Sequence, residues 1–125
     1  SERVIFPGFR KDIKSMYSAF DIYAHTSVEG GGETFPYAML HALAQELPMV
    51  ITRVGDMPAM VTEGVSGFVL EDKDVKGISE KLMLLSGNEN IRNVMGRKSF
   101  ELMMEKFTVD IMTANIEKVY RKVLD

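Results

Sequence analysis

Short apolar runs separated by stretches of helical periodicity constrain this chain more than any other feature. Val4-Ile5-Phe6, stopped by Pro7-Gly8, reads as a buried strand, as do Asp21 to His25, Pro48 to Thr52 and Gly67 to Leu70. Between the first two, Lys11 to Phe20 carries Ile13, Met16, Tyr17 and Phe20, the i, i+3, i+4, i+7 face of an amphipathic helix. Strands this short and apolar, joined through helices, imply right-handed crossovers and a parallel sheet. The expected fold is therefore α/β with four parallel strands between helical layers.

The other helices follow from the same reading. Thr34 is placed to cap a helix running through Pro36 and Tyr37 to about Gln45. Its apolar residues go most of the way round, so it should be well buried. Met57 to Glu63 is a short helix with Pro58 in its first turn and Gly64 as its stop. Gly64 to Gly67 is then a turn into the fourth strand. Asp74 to Leu85 should turn Val75, Ile78, Leu82 and Leu85 inward, with Gly87 as the break. Ile91, Val94 and Met95 belong to a helix reaching Lys106. Thr108 caps a last helix, where Val109, Met112, Ile116, Val119, Tyr120 and Val123 recur at three and four. No repeat, linker or low-complexity tract interrupts this order.

At 125 residues, one compact domain is the ceiling, and 46% hydrophobic residues suffice for a core. A net charge of -3 argues against a dedicated nucleic-acid binder and against a polybasic membrane anchor. No run approaches the ~20 apolar residues of a membrane span. No signal peptide is visible, and a cytoplasmic location is expected. Without cysteine there is no disulfide, thiol nucleophile or Cys-ligated zinc, and two histidines argue against a His-only metal site. The start at Ser1, running straight towards Val4, reads as a cut inside a longer chain.

Ligands of parallel sheets bind beyond the carboxyl ends of the strands. That directs attention to the loop leaving the second strand, Val28-Glu29-Gly30-Gly31-Gly32-Glu33. Three glycines let backbone approach a ligand closely. The helix that follows presents unpaired N–H groups and a positive dipole end, suited to a phosphate. Pro36 has no N–H, so the donors are Phe35, Tyr37 and Ala38. Glu29 and Glu33 flank the site, and a carboxylate, which only accepts hydrogen bonds, suits sugar hydroxyls better than phosphate. The alternative is a flexible glycine loop with solvated glutamates. His41, two turns past Glu33, reads by itself as an ordinary core or surface histidine rather than a functional one. The sequence has no P-loop, no G-x-G-x-x-G after a strand, no H-E-x-x-H and no G-x-S-x-G.

Five consecutive segments carry a family resemblance. Val4 to Gly8 is similar to a V-x-F-x-G strand, and Ala19 to Ser27 to A-D-v-f-v-x-P-S. Glu33 to Ala44 is similar to E-s-F-G-x-v-x-L-E-A-m-A, Pro48 to Val61 to P-V-V-a-T-x-v-G-G-x-P-E-i-v, and Gly64 to Leu70 to d-G-x-n-G-l-l-v. In this order the chain resembles the C-terminal Rossmann-like domain of retaining GT-B glycosyltransferases, the group related to glycogen and sucrose-phosphate synthases. The resemblance implies a three-layer sandwich covering residues 1–125 as a single, incomplete nucleotide-sugar-binding domain. Two family strands that lie between the first and second strands here would be missing. Either the remaining strands close up, or an exposed sheet edge remains for self-association with another copy. The parent enzyme would be about three times larger.

The resemblance also implies the chemistry. The parent would transfer a sugar from a nucleotide-diphosphate sugar to a hydroxyl acceptor, a glycan or lipid-linked, with retention. It would need no cofactor and no metal, and could sit peripherally at a membrane. Glu33 matches the first glutamate of the family's E-x7-E motif, the catalytic position near the donor sugar and diphosphate. Gly32, Thr34, Phe35, Pro36, Tyr37 and Ala38 match the loop and helix start that receive the diphosphate. Gly8 and Phe9 match the loop lining the base, and His41 stands where a second glutamate grips the ribose. His41 in place of Glu, Pro36 in place of Gly, and Asp56 and Ala59 in place of Gly and Glu depart from the pattern. The departures leave two alternatives, a degenerate donor domain serving as a scaffold and a nucleotide-sugar epimerase of the same architecture. A receiver-type flavodoxin-like fold would need an acid pair after the first strand, which Arg10, Lys11 and Asp12 do not supply. By this reading the fragment alone is inactive.

Overall fold

The computed structural model describes residues 3–124. Ser1 and Glu2, where the sequence suggests a cut, and Asp125 lie outside the described residues. The elements in chain order are α1 (Ile13–Tyr17), β1 (Tyr23–His25), α2 (Tyr37–Ala44), β2 (Met49–Thr52), a 3-10 turn (Met57–Met60), β3 (Gly67–Leu70), α3 (Val75–Ser86), α4 (Glu89–Lys106) and α5 (Val109–Leu124).

β2 is buried along its whole length and pairs in parallel with β1 on one side and β3 on the other. Its alternation divides the core. Met49 and Ile51 face a cluster with Tyr17 of α1, Met39, Ala42 and Leu43 of α2, and Met57 and Met60 of the 3-10 turn. Val50 faces the other way, onto Phe68, Leu85 and Met95. This is the period-2 strand signal expressed as two helical layers, an α/β, Rossmann-like sandwich. α4 crosses beneath the amino ends of the strands. There Gly96 lies so close to the Glu46 backbone that a side-chain carbon would overlap it, and Ser99 Oγ donates to Ser66 O at 3.0 Å. The carboxyl ends are left for the loops.

The sheet has three strands rather than four. Val4-Ile5-Phe6 forms no strand, and Phe6 is 90% exposed. Unlike β1, which is equally short but lies beside β2, this run has no neighbouring strand among the described residues to supply ladder bonds that would offset the cost of ordering it. The strands have therefore not closed up, and β1 stands as an edge strand with Ala24 exposed. A groove of about 620 Å³, lined by Ile22, Val28, Ile78 and Leu82 among others, runs beside it.

Several helix boundaries shift. α1 and β1 are shorter than the sequence suggests. The turn at Met57 stops at Met60 rather than Glu63, as a 3-10 helix. α2 starts at Tyr37, with Pro36 as N-cap at φ -73°, ψ 124°, and Thr34 does not cap it. A capping Thr34 would have Pro36 at one of the two positions whose N–H a cap can accept from. A residue before proline also avoids the helical region, so Phe35 cannot be a first helical residue. Asp74 and Asn88 do cap α3 and α4, accepting from the N–H groups of Gly77 at 2.9 Å and Ile91 at 3.0 Å. Val75 points outward, 76% exposed, while Leu85 is buried. α5 buries no residue, so its apolar row from Val109 to Val123 faces outward. Beside it lies a groove of about 710 Å³ lined by Phe35, Leu40, Phe107, Met112 and Ile116 among others.

Candidate functional site

The site is the meeting of three loops at the carboxyl ends of the strands. Loop 26–36 leaves β1, loop 53–56 leaves β2 and loop 71–74 leaves β3. The first is not free. Buried Thr52, at the end of β2, donates its hydroxyl to Ser27 O at 2.6 Å. The Glu29 N–H donates to Asp72 Oδ2 at 3.2 Å, and the Asp56 N–H to Thr34 O at 2.9 Å. Gly55, at φ 53°, packs directly against the carbonyl of Glu33 and the backbone of Thr34. A side chain there would overlap the carbonyl, so this close approach requires glycine. Gly30 and Gly32, at φ 82° and 81°, make the bends that bring the loop back to α2.

The loop separates its two glutamates. Glu29 is tied to the β3 side. Glu33 turns towards β1, where its Oε1 lies 3.4 Å from His25 Nε2. On the other face of that ring, the Tyr23 hydroxyl lies 2.8 Å from Nδ1. Tyr23 also stacks on buried Tyr17 with ring centroids 5.8 Å apart. Burial pushes the Tyr23 hydroxyl pKa up, with the neighbouring Tyr17 and Glu33 adding in the same direction. His41 is exposed on the second turn of α2, its ring 5.5 Å from that of Tyr17.

Of the residues the sequence singled out, Gly32, Glu33, Thr34, Phe35, Pro36, Tyr37 and Ala38 form one continuous loop and helix start. Tyr37 is 80% exposed and Ala38 half-buried, and their N–H groups open α2. The Phe35 ring turns away, edge-on to Phe107 at 5.6 Å. Gly8 and Phe9 lie in the exposed lead-in before α1. Sequence reading passed over Tyr23, His25, Thr52 and Gly55. Tyr23 and His25 carried one usable signal: residues two apart on a strand share a face, so both project to the Glu33 side. Arg53 pairs with Glu71 at 2.8 Å. Among the described residues, no three histidine, cysteine or acidic side chains gather where they could hold a metal ion. No described helix is long and apolar enough to cross a membrane.

Solved structures share this architecture. The chain superimposes on Anabaena Alr3699/HepE, whose crystal structure is a complex with UDP. The TM-score is 0.88 at 23% identity, covering 97% of this chain and 33% of that one. It also matches the C-terminal domain of a glycosyl transferase group 1 family protein, LpcC, from Francisella tularensis. There the TM-score is 0.72 at 24% identity, covering 85% of this chain and 53% of that one. The fold is that of the GT-B enzymes. The family model for glycosyl transferases group 1 matches residues 1–88, and the chain belongs to that family. It is 27% identical over 123 residues to N-acetyl-alpha-D-glucosaminyl L-malate synthase of Bacillus anthracis, covering 98% of this chain and 32% of the relative. The chain spans about a third of the length of the curated relatives it matches.

Proposed function

We propose that this chain is most of the C-terminal, donor-binding domain of a sugar-transferring enzyme. That parent moves a sugar from a nucleotide-diphosphate sugar to a hydroxyl acceptor, with retention at the anomeric carbon. Membership of the glycosyl transferases group 1 family carries the reading, and the clamped loop ending at the start of α2 is its structural counterpart. In the reaction the acceptor oxygen bonds the anomeric carbon as its proton passes to the departing phosphate oxygen, the sugar–diphosphate bond breaks, and the nucleoside diphosphate leaves with the negative charge that builds on it. The Tyr37 and Ala38 N–H groups and the helix dipole stabilise that charge. Gly32, Thr34, Phe35 and Pro36 bring the backbone to the diphosphate. Glu33 accepts hydrogen bonds from donor-sugar hydroxyls. Gly8 and Phe9 line the base, and His41 contributes a single ribose contact in place of a glutamate's two. No metal or cofactor is required.

The test is made in the full-length parent. Glu33→Ala should abolish transfer, while His41→Glu should keep or raise it. Loss of activity in the His41→Glu protein would contradict the placement of the ribose. Two specific features, Pro36 as N-cap and exposed His41, favour a second reading as a donor-domain scaffold without activity. Failure of the parent to bind any nucleoside diphosphate would establish it. Interconversion of UDP-sugars without an acceptor would instead mark an epimerase. The 125-residue chain alone has no transferase activity in this reading. Its open β1 edge pairs with a second copy, and elution as a monomer in size-exclusion chromatography would refute that pairing.

A further inference from the structure

We propose that His25 is a positioning residue: backed by Tyr23, it holds the Glu33 carboxylate in the orientation that receives the donor sugar. The proposal rests on Glu33 being the sugar-gripping carboxylate. It stands on a chain of three side chains, Tyr23 hydroxyl to His25 Nδ1 at 2.8 Å and His25 Nε2 to Glu33 Oε1 at 3.4 Å. The imidazole is well covered, with 16% of its side chain exposed, against 34% for Glu33. It is thus the inner, fixed member of the pair, on a strand, while the carboxylate sits on the loop.

The direction of the hydrogen bonds follows from the acceptor at the end. An ionised carboxylate only accepts, so Nε2 must carry a proton. In the neutral tautomer with that arrangement Nδ1 is a lone pair, to which the Tyr23 hydroxyl donates. The reverse tautomer would set a nitrogen lone pair against a carboxylate oxygen. Burial keeps the Tyr23 hydroxyl protonated, and so a donor, through the neutral range. Each group in the relay therefore has one role compatible with the next. Glu33 Oε1 faces His25, which restrains the side chain on that side. Its remaining acceptor positions are left for two neighbouring sugar hydroxyls. The Gly55 contact on the Glu33 carbonyl and the Asp56 hydrogen bond to the neighbouring Thr34 carbonyl hold the adjoining backbone. Glu33 is thus fixed at both ends before a ligand arrives, which lowers the ordering cost of binding.

The experiment compares affinity for a bare nucleoside diphosphate with affinity for its sugar conjugate, in the full-length parent. The probe pairs are UDP with UDP-N-acetylglucosamine and GDP with GDP-mannose, taking the pair that wild type binds. His25→Phe should weaken the sugar conjugate about fivefold, the order of one ordinary hydrogen bond, and leave the bare diphosphate unchanged. His25→Gln, whose amide N–H still reaches the carboxylate, should recover most of that loss. Tyr23→Phe should give a smaller loss of the same kind and guards against misfolding of the larger change. In a Glu33→Ala background, His25→Phe should add nothing. Equal weakening of both ligands would make His25 merely structural and overturn the proposal. So would an undiminished effect of His25→Phe without Glu33. If Glu33→Ala itself spares the sugar conjugate, the reading of Glu33 fails. If it weakens the conjugate while His25→Phe does not, only the role of His25 fails.

Discussion

Two parts of this molecule are equally apolar in sequence and opposite in structure. The run Met49-Val50-Ile51 is fully buried, whereas every residue of Val4-Ile5-Phe6 is exposed. The same contrast separates α2, whose Met39, Ala42 and Leu43 are buried, from α5, whose stronger apolar stripe buries nothing. An apolar pattern fixes what an element can bury, while burial itself needs a partner surface. The buried half has such partners, and the carboxyl-end loops are anchored to it.

The largest effect that could break this comparison is in the core. Ile51→Ala should cost about 2–5 kcal/mol in urea unfolding, because Ile51 is sealed between α2 and the 3-10 turn. A loss below 1 kcal/mol would mean the buried half is no better packed than the exposed one. Next is the loop clamp. Gly55→Ala should destabilise by about 1–3 kcal/mol, from the positive φ and the overlap with the Glu33 carbonyl. It should also weaken sugar-nucleotide binding by the parent, read by calorimetry. A smaller effect comes from Tyr23. Its native pKa is raised above the ordinary value of about 10, so above that pH the unfolded chain releases a proton the native state keeps. Stability should therefore fall as pH climbs past about 10, and Tyr23→Phe should flatten that fall without changing the profile at neutral pH. Smallest are the unpartnered surfaces. Phe6→Ser and Val119→Ser should each change stability by less than about 0.5 kcal/mol in the 125-residue chain. A larger loss would show that these surfaces have a partner after all.

The same contrast explains what could be read from the sequence. β2, β3 and the bodies of α3, α4 and α5 followed from periodicity, because periodicity records which face can be buried. Asp74 at the start of α3 and Thr108 as the cap of the last helix, accepting from the Ile111 N–H at 3.4 Å, kept their expected places because capping is settled within a few residues. The strand at Val4 failed because a strand depends on a neighbour that local sequence does not specify. Thr34 failed as a cap through a local clash of rules, in which Pro36 keeps Phe35 out of helical backbone and removes one of the N–H groups a cap can use. At the site, the glycine loop and helix start were legible because composition and element order marked them. The His25–Glu33 contact joins residues eight apart across the loop, and the Gly55 contact reaches back 22 positions to Glu33. Both arise only once β1 and β2 lie side by side.

The central claim is that the loop after β1 and the start of α2 receive a nucleotide sugar. Amide chemical-shift mapping of the isotope-labelled full-length parent, titrated with UDP-N-acetylglucosamine and with GDP-mannose, tests it directly. The account predicts saturable shifts with one of them, centred on Gly32, Glu33, Tyr37 and Ala38, with none along Val109 to Val123. Shifts confined to α5 or the Val4 segment, or no saturable shift in the Gly32–Ala38 stretch with either donor, would contradict it.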